Sequence, residues 1–229
     1  LDALKKAYKN EISAFAKKIL KIMLENYEIA KNEKIPTCQD TGYPIFFVKF
    51  GTDVKIIDGH IYEAINDAVR QATKEGYLRA SIVKSPIERI NTQDNTPAII
   101  HLELINGENI IIDILAKGGG SENKSKLFML TPNEGIDGIK RVVIETVKTA
   151  GADACPPFVV GVGIGGTFDK CAELAKKALT REINSENPNL EIAKLEKELL
   201  QEINKLGIGP QGLGGKTTCV GVFIESHPC

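Results

Sequence analysis

Three features of this 229-residue chain predict a mixed α/β fold: a mixed sheet containing a hairpin, helices packed against it, and a long N-terminal helix. Apolar residues recur at helical spacing over residues 2–31. Two β-favouring runs flank Asn106-Gly107, a dipeptide suited to a tight hairpin turn. After the hairpin, strand-like and helical segments follow one another, as when strands are joined through helices.

In chain order, Leu4, Tyr8, Ile12, Phe15, Ile19, Ile22, Met23, Tyr27 and Ile29 mark an amphipathic helix of many turns with room for one break. Pro36 ends any helical tendency. Pro44 to Phe50 is an apolar run, read as a buried strand. A second helix spans 59–76 and is ended by Gly76. Residues 77–96 lack periodicity and hold several turn formers, which suits a long functional loop. Strands follow at Ala98–Leu104 and Ile110–Leu115, then a helix over 134–150 closed by Gly151. A strand runs from Phe158 to Gly163, and Gly165-Gly166-Thr167 opens a helix to near Asn184, broken at Asn187-Pro188. Residues 190–206 form the next helix, Gly207–Gly215 is a tight glycine-rich loop, and Thr218–Ile224 is the last strand. No internal repeat or low-complexity tract divides the chain, so 1–229 reads as one domain with a helical N-terminal portion over 1–35.

Composition narrows the function. The net charge of −1 argues against a nucleic-acid or anionic-membrane surface, and no run is apolar and long enough to span a bilayer. The N-terminal stretch reads as an amphipathic helix and not as a signal peptide, so the expected location is cytoplasmic. There the five cysteines are expected as thiols, metal ligands or core residues, not as disulfides.

Chemistry concentrates in a few loops. Pro36-Thr-Cys-Gln-Asp-Thr-Gly42 places a thiol, an amide, a carboxylate and hydroxyls at a helix-to-strand junction; its plain alternative is a turn. Lys117-Gly-Gly-Gly-Ser-Glu-Asn-Lys124 has three glycines where backbone can approach a ligand closely, flanked by lysines and an amide that suit a small dianion; its plain alternative is a flexible connector. Cys38 and Cys155 each sit beside proline in a loop leading to a strand, a setting suited to a metal or cluster. Cys171 and Cys219 read as core, and His60, His101 and His227 as structural or exposed. Gly161-Val-Gly-Ile-Gly-Gly166 fits a nucleotide-binding fingerprint, but no acid-tipped strand follows it; the same turn could hold another anion or be a close helix–strand contact.

Five blocks in order resemble the iron–sulfur hydro-lyases, the oxygen-sensitive class I fumarases and the L-tartrate dehydratases. They are Pro36–Gly42, Ala116–Lys124, Ala154-Cys-Pro-Pro-Phe158, Gly165-Gly-Thr167 and Gly207–Lys216, and the resemblance covers essentially the whole chain. It implies the α subunit of a two-chain enzyme, a heterodimer or heterotetramer with a β subunit, acting on a small dicarboxylate. It implies a [4Fe–4S] cluster with one iron open to substrate and Cys38 and Cys155 as two of its three ligands. The third is expected beyond Cys229 in a longer chain, with Cys229 itself as the alternative. Gln39, Asp40, Arg79, Gly120, Asn123 and Lys124 match substrate-contacting positions, with Asp40 taking part in proton transfer. The expected reaction is reversible hydration of fumarate to (S)-malate; the alternatives are L-tartrate dehydration and, from another class, nucleotide binding at Gly161–Gly166.

Overall fold

The computed structural model describes residues 1–229 and divides them into two compact units. One comprises Glu28–Gly119; the other joins Leu1–Tyr27 to Gly120–Cys229.

The contiguous unit is built on a three-stranded mixed sheet. Its elements are β1 (Tyr43–Gly51), α1 (Ile61–Glu75), β2 (Ile99–Ile105) and β3 (Ile110–Lys117), with strand order β2-β1-β3. β1 is parallel to β2, with Ile45 opposite Ile99, and antiparallel to β3, with Val48 opposite Ile112. The mixed sheet is therefore present, but the expected hairpin at Asn106-Gly107 is not. β1 is apolar on both faces, and Ile45, Phe46, Phe47 and Val48 are all buried, so it occupies the centre and separates the two strands. The Asn106-Gly107 connection instead crosses the end of β1. Gly51 N donates to Asn109 O at 2.9 Å and Asp53 N to Gly107 O at 3.1 Å. A Cβ on Gly51 would lie 2.1 Å from Gly107 O, which is why glycine ends this strand. α1 packs Ile65 and Val69 on Phe46 and Val48. It ends at Gly76 as expected, but Gly76 has φ −88°, and the left-handed residue is Tyr77.

In the other unit the expected N-terminal helix begins and is broken once, into Asp2–Asn10 and Ala14–Glu33, the last residues of the second piece, from Glu28, belonging to the contiguous unit. Glu11 causes the break. Its buried carboxylate accepts hydrogen bonds from the backbone N–H of Ile12, Ser13 and Lys216 at 2.9, 3.0 and 2.8 Å. Burial alone would raise its pKa, but the Ser13, Lys216 and Ile12 donors and the Lys216 charge outweigh it and hold the pKa below its ordinary value. The second helix stops at Lys34, which is left-handed with φ 54°, two residues before Pro36.

The same unit carries a two-stranded parallel sheet of β4 (Phe158–Gly165) and β5 (Cys219–His227), linked through α2 (Phe168–Ala178) and α3 (Leu190–Lys205). Helix α4 (Gly135–Ala150) packs with α3 against it, around Val143, Val147, Leu199, Ile203, Val222 and Ile224. The helix after Thr167 ends at Ala178, not near Asn184. Beyond it Arg181 pairs with buried Glu196 at 2.6 Å and stacks on Phe223 at 4.8 Å. Asn189 caps α3 by accepting from Glu191 N and Ile192 N. No helix is long and apolar enough to cross a membrane.

Candidate functional site

In the contiguous unit the structure brings three separate stretches together. Gly42 has φ 84°, and a Cβ there would lie 2.5 Å from the carbonyl carbon of Lys117 and 2.7 Å from Gly118 N. The backbone after Cys38-Gln39-Asp40 therefore lies directly on the start of the glycine-rich loop. A Cβ on Gly119 would lie 3.8 Å from Asp40 Oδ2, so the Asp40 carboxylate borders that loop. Thr41 ties in the third stretch: Arg79 N donates to Thr41 Oγ1 at 3.0 Å, and Thr41 Oγ1 donates to Arg79 O at 3.3 Å. Buried Asn95 holds the same carbonyl through Nδ2 at 2.8 Å and accepts from Ser81 N at 2.6 Å. Cys38, Gln39 and Arg79 are exposed, and Asp40 is half-buried.

The second unit gathers the remaining positions. The glycine-rich loop forms one helical turn, Gly119–Glu122. A Cβ on Gly120 would lie 3.4 Å from Asp153 O. Lys124 Nζ reaches Asp153 Oδ2 at 2.6 Å, and Glu122 Oε1 meets Lys176 Nζ of α2, also at 2.6 Å. Asn123 is exposed beside them. The end of the stretch, at Lys124, is thus tied to the turn that carries Cys155, while the boundary between the two compact units falls within it, between Gly119 and Gly120, so it also serves as their connector.

Cys155 itself is exposed and left-handed, with φ 54° and ψ 61°. Side chains rarely adopt this conformation, and it projects the thiol from a tight turn. The glycine-rich Gly207–Gly215 loop supports that turn. Gln211 N donates to Pro156 O at 2.6 Å, and a Cβ on Gly212 would lie 2.3 Å from the Ala152 Cβ.

The other cysteines behave differently. Cys219 is buried, and burial pushes its thiol pKa up to about 12, while its Sγ donates to Gly221 O. Burial also raises the pKa of Cys171, whose Sγ donates to Gly163 O at 3.1 Å. Protonated thiols are poor metal ligands. Cys38 and Cys155 are exposed loop thiols, and that donor chemistry fits a thiolate-held cluster. Cys229 is exposed, and its Sγ would lie 3.7 Å from a Cβ on Gly165.

The histidines follow their sequence reading. His60 caps α1 by accepting from Tyr62 N, His101 stacks on Phe47 at 4.8 Å, and His227 is exposed. The nucleotide-like fingerprint has a packing role: a Cβ on Gly161 or Gly163 would lie 2.1 or 2.0 Å from the α2 carbonyls of Ala175 and Cys171. These glycines let α2 lie against β4.

Sequence reasoning missed Asn95, Asp153 and Lys176. Asn95 sits in the 77–96 stretch already marked as functional, and burial of its amide is visible only in three dimensions. Asp153 and Lys176 are lone charges with no motif.

The class of the protein comes from its likeness to known families, and that class is the hydro-lyases. A profile of the family described as "Fumarate hydratase (Fumerase)" matches residues 1–229, and the chain belongs to that family. Among its relatives, a Methanocaldococcus jannaschii protein provisionally named L(+)-tartrate dehydratase subunit alpha is 47% identical over 234 residues, covering 100% of this chain and 82% of that protein. The L(+)-tartrate dehydratase subunit alpha of Escherichia coli UTI89 is 37% identical over 235 residues, covering 100% of this chain and 77% of that protein. Its counterpart in strain K12 is 36% identical over the same span.

Proposed function

We propose that this chain is the α subunit of an iron–sulfur hydro-lyase acting on a small dicarboxylate, with L-tartrate as the first substrate and fumarate as the second. The observation that carries the reading is the tie of Thr41 and Gly42 to Arg79 and Lys117-Gly118. Its support is that a carboxylate, an arginine-bearing segment and half-buried glycine-rich backbone lie together in the loop region that carries the Cys38 thiol. Sequence reasoning put fumarate first; the names of the relatives favour tartrate.

Cys38 and Cys155 would hold the [4Fe–4S] cluster, which when bound supplies a Lewis acid for a substrate hydroxyl and carboxylate. Arg79 offers a bidentate fork for a substrate carboxylate. Gln39 and Asn123 orient the substrate by hydrogen bonding, and Gly120 N–H with the Lys124 ammonium receives carboxylate charge that grows as the α-carbon proton leaves. Asp40 shares in moving that proton. From a 2,3-dihydroxy diacid, loss of one proton and one hydroxide gives an enol that becomes the 2-oxo diacid; from malate the same loss gives fumarate. A β subunit completes the enzyme.

The test is anaerobic purification with the second chain, then initial rates on L-tartrate, (S)-malate and fumarate. Turnover of at least one of them, abolished by air, is expected. No turnover of any of the three overturns the reading, and faster turnover of fumarate and malate reverses the order of substrates.

A further inference from the structure

In the contiguous unit, Arg79 lies outside every helix and strand, so no regular element fixes its backbone. Side chains fix it instead. Its N–H donates to Thr41 Oγ1 at 3.0 Å. Its carbonyl accepts from Asn95 Nδ2 at 2.8 Å, and from Ser81 Oγ and Thr41 Oγ1 at 3.3 Å each. The Asn95 bond is the shortest on that carbonyl. Asn95 is also 3% exposed, so its amide must find its partners within the protein.

The two ends of that amide grip one short stretch. Nδ2 gives to Arg79 O, and Oδ1 receives from Ser81 N at 2.6 Å. A peptide group in a neighbouring parallel strand bonds the same two groups, a carbonyl and the N–H two residues on. One buried side chain thus does for residues 79–81 what an adjacent strand would do. Asn95 is itself held. Its backbone is left-handed at φ 59°, a conformation that asparagine adopts more readily than most residues. Its Nδ2 lies 3.4 Å from Thr73 Oγ1 in the last turn of α1, and Thr73 Oγ1 lies 3.1 Å from Asp94 O. Because α1 packs on β1 through Ile65 and Val69, the contacts run without a gap from the packed sheet to the backbone of Arg79.

We propose that Asn95 is the positioning residue for Arg79, holding its backbone so that the exposed guanidinium meets a substrate carboxylate; the proposal rests on the hydro-lyase reading of this site. A guanidinium on a long flexible stem pairs with both carboxylate oxygens only when the base of that stem is held in place. This contact is made in the ground state and the transition state alike, so its loss raises KM and spares kcat.

The test uses the enzyme assembled anaerobically with its β subunit, on whichever of L-tartrate, (S)-malate and fumarate the parent turns over. Asn95→Gly removes the amide and leaves the left-handed backbone unstrained. Asn95→Asp keeps the acceptor for Ser81 N and, when ionised, loses the donor to Arg79 O. Each should raise KM about tenfold with kcat within about twofold. Hydrogen exchange at the Ser81 amide should quicken in Asn95→Gly and not in Asn95→Asp. In an Arg79→Ala background, adding Asn95→Gly should move KM by less than about twofold, because the residue through which Asn95 acts is gone. Asn95→Asp carries the same test if Asn95→Gly fails to fold. A rise in KM of equal size with and without Arg79 overturns the proposal, and so does a loss confined to kcat. No turnover by the parent overturns the hydro-lyase reading and this proposal with it; a working parent whose KM is unmoved by both variants overturns this proposal alone.

Discussion

Cys38 and Cys155 are both exposed loop thiols, and they are held in opposite ways. Cys38 lies in a loop fixed from outside: Gly42 rests on Lys117-Gly118, and the Thr41 hydroxyl binds the backbone of Arg79. Cys155 carries its constraint in its own backbone, left-handed at φ 54°, with the Gly207–Gly215 loop seated against the turn. The difference teaches that one thiol depends on neighbours that substitution can remove, whereas the other stores local strain that only a change at the cysteine relieves.

The largest expected effect tests the outside support. Gly42→Ala adds a Cβ 2.5 Å from the Lys117 carbonyl carbon at φ 84°, and should cost about 2–4 kcal/mol and most of the activity. A melting curve within a degree of the parent would break the comparison. Thr41→Val removes both bonds to Arg79 and should cost about 1–2 kcal/mol, with a raised KM, measured by urea unfolding and initial rates.

A smaller effect separates the two thiols directly. Asn tolerates the left-handed region better than Cys, so Cys155→Asn should keep or raise stability, by up to about 1 kcal/mol, while abolishing activity. Cys38→Ala should also abolish activity but leave stability within about 0.5 kcal/mol, because this thiol is exposed. Calorimetry on both variants reads the contrast, and destabilisation by Cys155→Asn would remove the claim of stored strain.

The smallest effect is on pH dependence. Glu11 holds Lys216 N at 2.8 Å, beside the loop that supports Cys155. Its folded pKa lies below the ordinary 4.5, so its contribution to stability is present above about pH 4.5 and is lost as pH falls through the folded value. Acid should therefore raise hydrogen exchange in 207–216 before it does so in 36–42, and Glu11→Gln should remove that pH dependence. Equal exchange in the two loops across pH 3.5–6 would count against it.

Much of this was legible in the sequence, and the failures share a cause. Period and turn residues located every strand and major helix, because those signals are local. The dipeptide Asn106-Gly107 marks a tight connection correctly, but cannot say that β1 lies between the strands it joins. Spacing identified the apolar residues of the N-terminal helix, but not that Ala16 and Leu20 face inward while Phe15 and Ile22 face solvent. At the candidate site, the thiols and the glycine-rich loop stood out by composition. Asn95, Asp153 and Lys176 did not, since only tertiary contacts distinguish them from other surface residues.

The bond from Glu11 to Lys216 joins residues 205 positions apart, within a unit whose chain is interrupted by the other. During synthesis Glu28–Gly119 is complete as soon as residue 119 has emerged, and it holds every strand of its own sheet. The first helix and the break at Glu11 lack their docking partner until the last part of the chain is made. The N-terminal segment, first to leave the ribosome, is therefore among the last to reach its native setting, and its apolar residues, Ala16 and Leu20 among them, are uncovered throughout that delay.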